Sequence, residues 1–344
     1  MGKRKICKIV FVILSIFLCV AFYELFGICI AYKKQPEVSN TIKKETQNDS
    51  WNERSENMER AVIIEKNPEA LLQRVRLIRN AKEDIILSTF AFQSDESGKL
   101  ILGALHDAAD RGVHVRLLVD GMESWVDMEG NPYFYGLSSH ENVEIKLYNK
   151  ANPLKPWKMM GRMHDKYLIA DGKRYILGGR NTYNYFLGDF PGHKNYDRDV
   201  LVVCDEPEKE NSVNQLLEYF ETIWEQEDSG YFHDNKKLAN RKSVKNAVLE
   251  LQNGYQKYFE ENKERICDTD YTDETFETEK IALVSNPIHT GSKEPVVWYQ
   301  LGELMKNAKE RVKIHTPYII CNDMMYNTWE NIAESDSECF RRCI

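Results

Sequence analysis

The stretch from Gly161 to Asn181 leaves the backbone little choice. Tyr167, Leu168 and Ile169 supply the β-favouring bulk of an extended chain, so His164 to Ala170 reads as a strand. Asp171-Gly172 is a strong two-residue hairpin signal, and Arg174 to Leu177 reads as the return strand. Side chains two apart on a strand share a face, so His164 and Lys166 point the same way. Counting back from the turn sets Gly178, Gly179 and Asn181 opposite Lys166 and His164, within about one residue of register. Glycines there remove bulk and let a ligand approach the backbone. At about 3.3 Å per residue, Asp171 falls roughly 23 Å from His164. It reads as a turn-forming and salt-bridging residue outside the chemistry.

These residue types suit phosphate chemistry. A neutral imidazole is a nucleophile near neutral pH. An ammonium with amide donors stabilises the crowded negative charge of a phosphoryl transition state. A lone histidine or Lys-x-Asp on a strand is ordinarily structural; the joint spacing carries the reading. His164-x-Lys166-x4-Asp171, followed by Gly178-Gly179-x-Asn181, resembles the signature of the phospholipase D superfamily. The double glycine (members often carry Ser at 179), the aromatic run Tyr183 to Phe186 and the strand Asp197-Arg-Asp199 are similar to bacterial cardiolipin synthase-like members. Arg116 to Gly121 looks like the family's earlier core strand. The similarity covers roughly residues 60 to 325.

The resemblance implies an attack on phosphorus by one histidine, a phosphohistidine intermediate, and a leaving alcohol protonated by the histidine of a second motif. It implies no metal or other cofactor. On that basis His164 is the nucleophile or its acid partner, and Lys166, Asn181, Gly178 and Gly179 hold the phosphate. Asp197 would orient His164 by accepting from its second ring nitrogen, with Asp199 on the same strand face in reserve. Asp171 is the structural member of the motif.

A weaker repeat runs through the chain. Asn80-Ala-Lys-Glu83 matches Asn307-Ala-Lys-Glu310, and Thr89 matches Thr316. Each copy reads as a helix end followed by a core strand, the second over Val312 to Ile320. The same offset of 227 residues would place a second histidine near position 391, past Ile344. The segment Glu338 to Ile344 loses apolar periodicity after a helix start at Met324 to Ala333. A truncated or frame-shifted second lobe is therefore the expectation. A one-motif chain that completes its site by dimerising is the alternative.

Residues 9 to 32 are almost wholly apolar and follow Lys3, Arg4, Lys5 and Lys8. That matches the roughly 20 residues needed to span a bilayer. No small-x-small cleavage site follows, so a single-pass anchor is expected rather than a signal peptide. Lys33, Lys34, Lys43 and Lys44 nearly balance the leading positives, so the charge rule scarcely separates the orientations. The adopted reading keeps the N-terminus cytoplasmic and the catalytic part outside. Net charge is −8, which offers no basic footprint for nucleic acid. No Cys-x2-Cys pattern appears, and the histidines other than His164 show no ligand spacing.

The expected fold is α/β: a phospholipase D-like sandwich of a mainly β core sheet flanked by helices, one complete lobe and part of a second. The expected boundaries are an anchor over 1–34, a polar linker over 35–58, the first lobe over 59–205, a charged helical connection over 206–280 and an incomplete second lobe over 281–344. Gly121 to Tyr135 and Pro153 to Met160 read as loops whose aromatics and methionines either grip lipid or pack on the surface. The function expected is transfer of a phosphatidyl group between phospholipids such as phosphatidylglycerol, at a membrane. The alternatives are a phosphodiesterase or nuclease of the superfamily, or an inactive lipid-binding remnant.

Overall fold

Nine strands form one sheet in the computed structural model of the chain, which describes residues 3–48, 59–207, 210–233, 235–308, 310–314, 316 and 320–334. They are β1 (Arg60–Ile64), β2 (Asp84–Thr89), β3 (His114–Asp120), β4 (Val143–Tyr148), β5 (Lys166–Ala170), β6 (Arg174–Gly178), β7 (Asp199–Val203), β8 (Ser229–Tyr231) and β9 (Phe276–Glu277). Their order is β8-β4-β3-β2-β5-β6-β7-β1-β9. β2, β3 and β4 run parallel; the remaining pairs are antiparallel. The helices are α1 (Lys3–Ala31), α2 (Asn40–Asn48), α3 (Asn67–Asn80), α4 (Glu96–Asp110), α5 (Gly121–Asp127), α6 (Pro132–Ser138), α7 (Ser212–Trp224), α8 (Lys242–Glu261), α9 (Lys263–Cys267), α10 (Val296–Lys306) and α11 (Asp323–Glu334).

Period-two alternation sorts the strand residues between two cores. Leu87, Leu117, Leu168, Ile176 and Leu201 join the side chains of α3, α4 and α8 on one face. Ile86, Leu118, Tyr167, Ile169, Tyr175 and Val202 face the other way, against Leu216, Phe220, Ile223 and Trp224 of α7. Burying one such side chain contributes roughly 1.5–3 kcal/mol. Both faces of the central strands are therefore covered, and the strand ends are what remains open for a site.

The hairpin forms with two adjustments. β5 begins at Lys166, so His164 lies two residues ahead of the ladder rather than within it. Ala170 pairs with Arg174, which makes the turn three residues, Asp171 to Lys173, not two. Asp171 and Gly172 both take left-handed conformations, φ 51° and 58°, which Gly and Asp tolerate better than most residues. The Asp171 carboxylate accepts from the backbone N–H of Lys82, Glu83 and Asp84 at 3.0, 2.8 and 3.2 Å. It ties the hairpin tip to the start of β2, at the end of the sheet remote from His164.

Other expectations shift. The polar stretch 35–58 contains α2, while residues 49–58 lie outside the described ones. Gly121 to Tyr135 is mostly helical: Asp120 caps α5, and Asn131 caps α6 ahead of Pro132. Phe134 and Tyr135 are buried there, whereas Trp125 and Val126 are exposed. Residues 206–280 supply α7, α8 and α9 and also the edge strands β8 and β9. The strand expected over 312–320 is not formed by residues 312–314, 316 and 320; the others in that span, and Glu338 to Ile344, lie outside the described residues. α10 and α11 are helical, the latter matching the expected start at Met324.

Candidate active site

The carboxyl ends of β2, β3 and β4, the start of β5 and the end of β6 meet at one edge of the sheet. In open sheets this is the edge where ligands bind. Phe90, just past β2, is the hub. Its ring meets the His164 ring edge-on at 4.6 Å between centroids. The Lys166 Nζ lies 5.3 Å and the Arg162 guanidinium 5.0 Å from the same ring centroid. His164 and Lys166 therefore converge on one aromatic surface, as their spacing requires.

Their electrostatics differ from those of free side chains. One edge of His164 is open to solvent while the ring packs on Phe90. Burial of the ring and the nearby Lys166 and Arg162 cations hold its pKa below the ordinary imidazole value, against the opposing pull of Asp120 and Glu123. A lowered pKa favours the neutral form of the ring, the form in which an imidazole can act as a nucleophile. Lys166 is buried, and its Nζ donates to the His164 carbonyl oxygen at 2.5 Å. Burial lowers its pKa to about 8, with Asp165 and Asp197 pulling the other way.

A second layer fixes the segment that carries His164. Buried Asp120 accepts from Arg162 Nη2 at 2.7 Å and from the Met163 backbone N–H at 3.0 Å. Arg162 also donates to Glu123 at 3.1 Å. Asn149 donates to the carbonyls of Lys158 and Gly161. Phe90, Asp120, Glu123 and Arg162 escaped the sequence reading. The available signal was Asp120 at the carboxyl end of a buried strand and a cation two residues before the histidine.

Asn181 joins the cluster. Its Oδ1 accepts from the Ala91 N–H at 3.2 Å, next to Phe90. Its Nδ2 has no partner among the described residues and remains a donor for a ligand. Arg180 pins this turn: fully buried, it donates to the carbonyls of Ile64, Glu65 and Asp197.

The glycines do something other than expected. A Cβ on Gly178 would lie 2.0 Å from Asp199 Oδ1, and one on Gly179 would lie 2.0 Å from Asp197 Oδ2. The space left by the missing side chains is filled by two carboxylates, so it is no open floor for a phosphate. Asp197 forms no hydrogen bond with His164; it sits against Gly179, and its charge acts on Lys166. The carboxylates whose charge acts on His164 are Asp120 and Glu123. Asp199, held in reserve, is buried between Arg74 at 2.9 Å and Arg180 at 3.2 Å. It is a structural anion.

Residues 74–224, which include every residue of this cluster, match the family model described as cardiolipin synthase, PLD-like domain. They form a phospholipase D-like domain. An uncharacterized protein of Helicobacter pylori (strain ATCC 700392 / 26695) is 28% identical over 299 residues, 79% of this chain and 56% of that protein. Cardiolipin synthase C of Escherichia coli (strain K12) is 29% identical over 171 residues, 46% of this chain and 34% of that one. Phosphatidylserine synthase of Haemophilus influenzae Rd KW20 shares the fold, with TM-score 0.54 and 16% identity, over 87% of this chain and 65% of that one. The chain thus spans about half the length of the first of these relatives. The phospholipase D-like domain carries the expected α/β class, a large sheet with helices on both faces.

Proposed function

We propose that this chain is a phosphatidyltransferase of the cardiolipin synthase type, acting on phospholipids such as phosphatidylglycerol at a membrane. The observation that carries the reading is the convergence of the His164 ring and the Lys166 ammonium on the ring of Phe90. The ring nitrogen attacks phosphorus, an N–P bond forms, and the P–O bond to the leaving glycerol breaks. An acceptor hydroxyl then attacks the phosphohistidine, forming a new P–O bond and returning the imidazole. Lys166 and the Asn181 Nδ2 donors hold the phosphoryl oxygens as charge accumulates. Phe90 and the Asp120–Arg162 pair keep the imidazole in place. The proton for the leaving oxygen comes from a second motif, in a further lobe or a second chain. α1, whose stretch Lys5–Ala31 is long and apolar enough to cross a membrane, is the anchor.

The test is direct. The full chain, reconstituted with phosphatidylglycerol, should yield cardiolipin and glycerol, and denaturing it in mid-turnover should trap acid-labile phosphate on His164. Phosphatidic acid as sole product would reassign the acceptor to water. Full turnover by His164→Ala would defeat the mechanism.

A further inference from the structure

We propose that the segment Pro153–Met160, together with α5, is a membrane-contacting platform that lays the catalytic edge flat against an anionic lipid surface. This rests on the reading of α1 as a membrane anchor and extends it to the catalytic part of the chain. Three observations carry it.

First, α1 packs against this segment. The Tyr23 hydroxyl donates to the Leu154 carbonyl at 2.9 Å. Gly27 packs so closely on Pro156 that a Cβ there would lie 2.5 Å from Pro156 Cγ.

Second, the helix length sets the depth. Lys5–Ala31 has 27 residues, about 40 Å at 1.5 Å per residue. The hydrocarbon core takes up about 30 Å, or roughly 20 residues. Counted from Lys8, the last of the leading lysines, that core reaches to about Ile28, just past Gly27. The Gly27 contact with Pro156 therefore falls at the end of the core nearest the headgroups, the Tyr23 contact with Leu154 about one turn further in, and Lys33 and Lys34 follow at the same side.

Third, the segment has the composition of an interface. Leu154 is 77% exposed, Met160 57% and Trp157 43%, with exposed Lys155 among them. Trp125 and Val126 of α5 add two more exposed apolar side chains at the same sheet edge. Aromatic residues favour the membrane–water boundary, and lysines there attract anionic headgroups.

The platform leads straight into the site. Asn149 clamps the carbonyls of Lys158 and Gly161, and His164 follows three residues after Gly161. A lipid phosphate can then reach His164 while its acyl chains stay in the leaflet.

The experiment uses the full chain in vesicles of phosphatidylglycerol and phosphatidylcholine, the latter brominated near the headgroup end of its acyl chains. Trp157 emission is taken as the difference between wild type and Trp157→Phe. It should be blue-shifted and lose more than half its intensity relative to unbrominated vesicles. Leu154→Asp should reverse much of that loss. Carbonate washing separates the two readings. A chain that stays with the vesicles while Trp157 emits at the water-exposed wavelength, unquenched, overturns the platform alone. A chain stripped off by carbonate overturns the anchor and the platform together.

Discussion

Two aspartates, Asp197 and Asp199, sit two residues apart at the head of β7, and Asp199→Asn separates their roles. The substitution keeps the shape and removes one charge. Asp199 is wholly buried, as is its partner Arg180, and Arg74 is nearly so. Guanidinium groups do not deprotonate in proteins, so both cations would stay charged without Asp199, Arg180 keeping only the pull of Asp197. Breaking a buried pair by removing one partner costs about 3–5 kcal/mol, against a typical domain stability of about 5–15 kcal/mol. At about 2–4 °C per kcal/mol for a domain of this size, the melting temperature should fall by about 6–20 °C. Far-UV circular dichroism in detergent reads the transition. Phosphatidylglycerol turnover is measured alongside, at a temperature below both transitions. The folded variant should keep most of its turnover. A variant that melts within about 2 °C of wild type yet loses turnover would refute the assignment, because Asp199 would then be serving the chemistry.

The pH–rate profile should be bell-shaped. Attack needs neutral His164, whose pKa lies below the ordinary imidazole value, so the acid limb falls below about pH 6.5. The Lys166 ammonium is lost as pH rises through about 8, which sets the alkaline limb. A rate still climbing a full unit above that contradicts the role of Lys166. Asp197→Asn removes a charge that raises the Lys166 pKa, so the alkaline limb should move to lower pH with little change in melting temperature. Gly179→Ser should act in the same direction, since its Cβ displaces the Asp197 carboxylate; an unmoved limb in both variants would show that Asp197 does not bear on Lys166. Asp171→Ala removes the acceptor for three largely solvent-exposed N–H groups and should cost about 1–2 kcal/mol in a denaturant titration. Its turnover per folded molecule should be unchanged, because the residue lies at the far end of the hairpin.

The placement of His164, Lys166 and Asn181 at one edge of the sheet was legible because strand alternation and an Asp-Gly turn are local rules. The roles of Asp197 and Asp199 were not, because only burial distinguishes them and burial is decided by Arg74 and Arg180 from other elements. Phe90 and Asp120 required knowing that β2, β3 and β5 are neighbours, which follows from the sheet order alone. The glycines were read as the place where a ligand phosphate approaches the backbone, whereas the groups packed against them are the Asp199 and Asp197 carboxylates. That outcome bears on function. Around His164, the cations Lys166 and Arg162 face Asp120, Glu123 and Asp197, and two of those carboxylates bear directly on the imidazole. Arg162 is already committed to Asp120 and Glu123. Lys166 is thus the one cation of the pair left to meet a phosphodiester, whose negative charge grows in the transition state. Such a cluster brings little net positive charge of its own to a phosphate, which Lys166 and the Asn181 amide would meet. On the proposed reading, further positive charge would have to come from a group outside this cluster before a phosphodiester is held firmly.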